Sequence, residues 1–208
     1  MDELYNSTTS NSEYKMNYES NDESDSQRIY YREFDYGIDT TDNVILIQDE
    51  IVSGLTFDVV SKVRLLKKIN GNVDTINVLL NSPGGDVIET LALIDFMKTQ
   101  EEQGIKFNII VRGSAMSAAA LLLTCGTGTR AASKHSKIMV HQLSTIVMGK
   151  LSDIKSNAKF SEELENECNA LMAENTKMDK EYWESSQSSD YFMSAEKALE
   201  LGIIDKII

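Results

Sequence analysis

A chain of 208 residues, 41% hydrophobic and 25% charged, is long enough for one well-cored domain and is ordinary for a globular protein. Its formal net charge of -13 leaves no basic stripe to neutralise phosphates, which argues against nucleic-acid binding. No run of apolar residues reaches the length of a membrane span, and two cysteines with two histidines make neither a disulfide framework nor a zinc cluster, so no metal or other cofactor is expected in this chain.

Residues 1–28 are rich in Asn, Ser, Asp, Glu and Tyr and nearly lack aliphatic residues. They cannot bury enough surface to offset ordering entropy and read as a disordered tail. The first 42 residues hold 11 acidic and 3 basic side chains, so -8 of the charge lies there. Residues 1–42 are read as an acidic, largely disordered segment, and 43–208 as the folded domain. Met1-Asp2-Glu3-Leu4 lacks the basic start and apolar stretch of a secretory signal, which predicts a cytoplasmic protein.

From Asn43 the pattern changes. Val44-Ile45-Leu46-Ile47 suits a buried strand. Thr56 then caps a helix with Phe57, Val60, Val63, Leu66 and Ile69 on one face, closed by Gly71. Ile76 to Leu80 is a strand that runs into Ser82-Pro83-Gly84-Gly85, where Pro83 is the only proline of the chain. Asp86 opens a second helix, with Val87, Leu91, Ile94 and Met97 on one side, that ends at Gly104. A third strand, Phe107 to Val111, ends in Arg112-Gly113.

A helix begins near Ser117 with Ala118-Ala119-Ala120 and Leu121-Leu122-Leu123, and Gly126 is a suitable stop. Arg130 to Ala132 and Ile138 to His141 are short strands around the polar turn Ser133 to Ser136. Ser152 or Asp153 caps a long helix with the stripe Ile154, Ala158, Leu164, Cys168 and Leu171. A last helix, Ala195 to Leu201, stops at Gly202 and leads to Ile203-Ile204. Strands alternating with helices predict right-handed βαβ units and a largely parallel sheet. The long helix breaks that rhythm and is expected to project or to pack on a partner.

Four features of this layout carry chemistry. Ser117 lies at a strand-to-helix junction, where free N–H groups and the helix dipole favour a developing negative charge. An ordinary N-cap serine is the competing reading. His141 ends an apolar strand, so it can project at the same sheet edge, whereas His135 sits in a lysine- and serine-rich turn. Gly84-Gly85 follows a buried strand and precedes a helix, a place where backbone donors open to a ligand. It has no Gly-Lys-Ser/Thr sequel, so it is not a phosphate loop. Among the 33 acidic residues, Asp190 re-enters the core before Tyr191-Phe192-Met193, but composition does not choose it over Asp205 or Asp153. A serine activated by a histidine base, an orienting carboxylate and backbone donors for an oxyanion is the equipment of acyl transfer.

The stretch from about Val44 to Ile208 resembles the ClpP family, the proteolytic subunit of the Clp protease. The resemblance rests on Asn81-Ser82-Pro83-Gly84-Gly85, on Gly113-x-Ala115-x-Ser117, on Ile138-Met139-Val140-His141-Gln142 and on Asp190-Tyr191-Phe192-Met193-Ser194-Ala195 with Gly202-Ile203-Ile204-Asp205. It implies an α/β ClpP/crotonase-like fold of repeated β-β-α units with a projecting handle helix from about Ser152 to Ala173. It implies Ser117 as nucleophile, His141 as base, Asp190 as orienting acid, and the N–H groups of Gly85 and Ala118 as oxyanion hole. The implied assembly is a homo-oligomer of two stacked heptameric rings. An AAA+ unfoldase of the ClpX or ClpA type would feed it, and ATP would be used by that partner. Ala118 stands where the family usually has methionine. Leu143-Ser144-Thr145 stands where it commonly has proline and glycines, which bears on cleavage preference. Three other readings follow from the same motifs: a ring-scaffold relative of weak activity, a viral relative processing capsid or scaffold proteins, and a crotonase-type acyl-CoA enzyme.

Overall fold

The structure, a computed structural model, describes residues 36–208. The segment 1–28 read as a tail lies outside the described residues. Fourteen elements follow one another: β1 (Ile38–Asp39), β2 (Val44–Gln48), α1 (Leu55–Asn70), β3 (Thr75–Ser82), α2 (Val87–Glu102), β4 (Lys106–Met116), α3 (Ala118–Thr124), β5 (Arg130–Ala132), β6 (Lys137–Val140), α4 (Leu151–Asn175), α5 (Lys180–Ser186), β7 (Tyr191–Ser194), α6 (Ala195–Leu201) and β8 (Lys206–Ile207). The main sheet runs β1-β2-β3-β4-β5-β8, with β6 and β7 branching from β4. β2, β3, β4, β5 and β8 pair in parallel, and β1 adds to the edge antiparallel. Ile38–Asp39 thus belongs to the sheet although it precedes residue 43.

The branch organises the molecule. β4 is eleven residues long and runs past Gly113 to Met116, beyond the expected end at Val111. Its Ile109–Val111 portion pairs with β5, while Ser114–Met116 pairs with Lys137–Met139 of β6. Gly113, at φ 114, lies between the two halves, and a Cβ there would strike the side chain of Asn81. Asn81 Oδ1 accepts from the Ser114 amide at 2.9 Å, which fixes the redirected strand.

Helix faces follow burial more than simple spacing. On α1 the buried residues are Val59, Val63 and Leu66. Phe57 and Ile69, expected on that face, are exposed, because a strict three-residue step drifts around a helix of 3.6 residues per turn. Gly54 rather than Thr56 is the N-cap; Thr56 instead bonds Glu89 of α2 through its amide and hydroxyl. Those bonds, the amide's first, hold the Glu89 carboxyl below its ordinary value. Asp86 caps α2 as expected, accepting from the amides of Ile88 and Glu89. α3 is buried throughout, and its cap at the far end is Cys125.

α4 is capped at Lys150, two or three residues before the expected Ser152 or Asp153 cap. Its 25 residues span about 37 Å at helical rise. Residues 151–160 are exposed on every side, and burial starts only at Leu164, Asn169 and Met172. The helix therefore projects along its first half, as its break in the βα rhythm suggested. α5, β7 and β8 escape a reading by hydropathy because each is short. α5 is anchored by Trp183, which is fully buried and donates from Nε1 to Thr176 Oγ1 at 3.0 Å.

Candidate active site

The branch of β4 sets the site. Met116 and Met139 are ladder partners, and the Ser117 amide continues the ladder by donating to the Met139 carbonyl at 2.8 Å. Ser117 then turns sharply into α3, with φ 54 and ψ -126 and no side-chain capping bond. A left-handed φ at a non-glycine residue is strained, and the strain is held by the ladder on one side and a buried helix on the other. Such a strand-to-helix turn pushes the side chain outward. Ser117 does hold the N-cap position of α3, but its hydroxyl makes no capping bond and contacts His141 instead.

His141 leaves β6 two residues after Met139. Its Nε2 lies 2.8 Å from Ser117 Oγ, within hydrogen-bond range. Its Nδ1 lies 3.8 Å from Asp190 Oδ1, longer than a hydrogen bond. Two anchors set that separation. Val140 pairs with Tyr191 in the antiparallel β6–β7 ladder, and the Gln142 amide donates to the Gln187 carbonyl at 3.3 Å. His141 thus faces the short connection that ends in Asp190. The competing groups are elsewhere. Asp205 is held by Arg130, with the carboxylate taking Nη2 at 2.6 Å and Nε at 3.2 Å. Asp153 lies on the exposed start of α4, and His135 is exposed in its turn.

The glycine turn packs directly under the serine. A Cβ on Gly84 would meet Met116 O at 2.5 Å, Ser117 Cβ at 2.7 Å and Ala118 N at 3.1 Å. Gly84 donates its amide to Ser82 Oγ at 3.1 Å and accepts from Ile51 N at 2.7 Å, while Asp86 N donates to Ile51 O at 2.8 Å. Since Gly84 O and Asp86 N face Ile51, the peptide N–H of Gly85 turns the other way. The N–H of Ala118, in the first turn of α3, has no intrahelical acceptor. Gly85 and Ala118 both line the cleft beside Ser117.

That cleft measures about 360 Å³ and is walled by Leu121, Met139, Leu143, Cys168 and Met172, with Glu165 and Gln187 as polar members. Cys168 and Glu165 were not apparent as cleft residues from hydropathy. Their spacing to Met172 on one helix face was the available signal. Burial, followed by the charges of Glu167 and Glu165, pushes the Cys168 thiol up to about 11. Burial raises Cys125 to about 12. Neither thiol supplies a thiolate near neutral pH. Among the described residues no cluster of His, Cys, Asp and Glu could hold a metal ion, and no helix is long and apolar enough to cross a membrane.

A mixed α/β sheet that offers a strained serine at the end of a strand, with a histidine in hydrogen-bond contact, defines the class as a peptidase-like α/β fold. Residues 34–208 match the family model for Clp protease. The chain belongs to the Clp protease family, a family of peptidases that typically form oligomeric rings.

Proposed function

We propose that this chain is a serine endopeptidase subunit that cleaves unfolded polypeptides inside an oligomeric ring chamber. The 2.8 Å contact between Ser117 Oγ and His141 Nε2 carries the reading. His141 takes the hydroxyl proton as Ser117 attacks a peptide carbonyl. Gly85 and Ala118 N–H groups receive the oxyanion, in a turn whose backbone is already fixed and so needs no reorganisation. His141 returns the proton to the leaving amine, and water then cleaves the acyl-enzyme by the reverse roles. Asp190 orients the imidazole through Nδ1, and closing the 3.8 Å gap by about 1 Å would make that hydrogen bond.

The exposed first half of α4, with Leu151, Ile154 and Phe160 uncovered, supports a ring-to-ring contact within stacked heptamers. A chamber would confine an otherwise open cleft to threaded, unfolded chains. An AAA+ unfoldase of the ClpX or ClpA type would supply them in the cytoplasm, with ATP spent by that partner. A fluorophosphonate probe tests the chemistry. It is expected to label the wild-type chain at Ser117 and to leave Ser117→Ala unlabelled; labelling that persists in the variant overturns the nucleophile assignment.

A further inference from the structure

We infer that Glu165 selects substrates carrying lysine or arginine at the residue whose carbonyl Ser117 attacks. The inference rests on the serine-peptidase reading and adds a substrate class to it. Glu165, Cys168 and Met172 are spaced by three and four residues, so α4 turns one face to the cleft. The helix cannot rotate that face away. Leu164 and Asn169 are buried beside it, and Asn169 Oδ1 accepts from Gln187 Nε2 at 3.0 Å.

Glu165 is the only Asp or Glu among the described residues lining this cleft, and no Lys or Arg lines it. Its neighbour Glu163 engages Lys159. Glu165 makes no hydrogen bond or ion pair among the described residues. Its charge nevertheless acts inside the cleft, where it helps to raise the Cys168 thiol. A half-buried, unpaired carboxylate beside an apolar wall suits a side chain with an apolar stem and a cationic head. The stem packs on Leu121 and Met172 while the head reaches Glu165. An acidic side chain in the same place meets like charge with no counter-ion.

Three capped fluorogenic peptides differing only before the scissile bond, with Lys, norleucine or Glu there, read the preference as kcat/KM on the full chain in its native assembly. Lysine is expected to exceed norleucine by about threefold to fivefold, the size of one partly screened ion pair, and Glu to fall below both. The advantage should shrink from about 0.1 M to about 1 M salt, as the screening length drops from roughly 10 to 3 Å. Glu165→Gln should bring the Lys-to-norleucine ratio near one, and Glu165→Lys should favour the Glu peptide over the Lys peptide. A wild-type ratio of one or less, or a ratio that Glu165→Gln leaves unchanged, overturns the inference. Binding of the same peptides to the Ser117→Ala chain, followed by fluorescence anisotropy, decides it separately from catalysis. A Lys preference in binding that Glu165→Gln abolishes sustains the role of Glu165 even if Ser117 proves unreactive to fluorophosphonate, an outcome that would instead sink the catalytic reading.

Discussion

The Ser117 amide donates to the Met139 carbonyl at 2.8 Å, and this one bond places serine and histidine on a common ladder. Met139 precedes His141 by two residues, so the pleat that carries Met139 to Ser117 also brings the imidazole over the serine hydroxyl. The contact of Ser117 and His141 is thereby set by backbone pairing and not by a mobile loop.

Asp190 is held less directly, across 3.8 Å and with its side chain 60% exposed. In the proposed mechanism its work is to fix the tautomer that leaves Nε2 free to accept the serine proton. Asp190→Asn is expected to cut the rate of fluorophosphonate acylation by about a thousandfold to ten-thousandfold while thermal stability stays close to wild type. Stopped-flow labelling against differential scanning calorimetry checks both halves. Near-normal acylation would move the orienting role to another group.

Gly84 offers a test of the turn beneath Ser117. Its φ of 99 and the 2.5 Å approach that a Cβ would make to Met116 O leave no room for any side chain. Gly84→Ala should cost about 1–3 kcal/mol in backbone strain. It should also displace Ser117 and the Ala118 amide together, so probe labelling should fall far more than the melting temperature implies. A variant that loses stability but keeps wild-type labelling would show that the turn only supports the fold.

Much of this arrangement was legible in the residues. Asp86 as a cap, Gly71, Gly104 and Gly202 as helix ends, and the serine at a strand-to-helix junction all follow from local rules of capping and backbone freedom. What local rules do not encode is the second half of β4. Arg112-Gly113 reads as the end of the third strand, and the chain continues as a strand to Met116 only because β6 and the Asn81 side chain supply partners distant in sequence. The choice among Asp190, Asp205 and Asp153 was likewise open. It depends on which acid is already committed, and the Arg130 pairing of Asp205 joins residues 75 positions apart. Glu165 stayed hidden because a glutamate on an acidic helix looks like solvated surface until the opposite wall of the cleft is in place.

The Arg130–Asp205 pair should give the fold an acid-sensitive component. Burial acts to raise the Asp205 carboxyl, but the side-chain and backbone hydrogen bonds of Arg130, with its charge, outweigh it and hold the group below its ordinary value of 3.8. A depressed folded value means that stability is fully present above the unfolded value and is lost as pH falls through the folded one. With the carboxylate partly open to solvent, about 1 kcal/mol is expected after screening. Asp205→Asn should therefore lower the melting temperature at neutral pH, and by a smaller margin at a pH well below the ordinary value of 3.8, as the depressed folded value is approached. An equal deficit at both pH values would assign the effect to lost packing.

Cys168 sits in the cleft, yet its thiol is pushed up to about 11. Iodoacetamide should react slowly at neutral pH, and the rate should climb as pH rises towards that value, because the thiolate is the reactive form. Cys125, buried and raised to about 12, should resist alkylation in the folded chain. Rapid neutral-pH alkylation of Cys168, read by peptide mass mapping, would mean that the cleft opens to water more than its lining suggests.

The exposed apolar residues before and within the first turns of α4 provide the last test. Ile146 and Met148 are 90% and 88% exposed, and Leu151 follows at 69%. Apolar side chains this open and this close together, on a segment that projects from the body, are the signature of an association surface. If stacked rings meet there, Met148→Asp combined with Leu151→Asp should split the assembly to half its mass by native mass spectrometry, since burying two new carboxylates across a contact is costly. The subunit itself should lose no more than about 0.5 kcal/mol, because neither side chain packs on its own core. Peptide cleavage should then fall together with the assembled fraction and recover with it on raising the concentration. An unchanged native mass would remove the projecting segment from the contact and would require the rings, if they pair, to meet through another face.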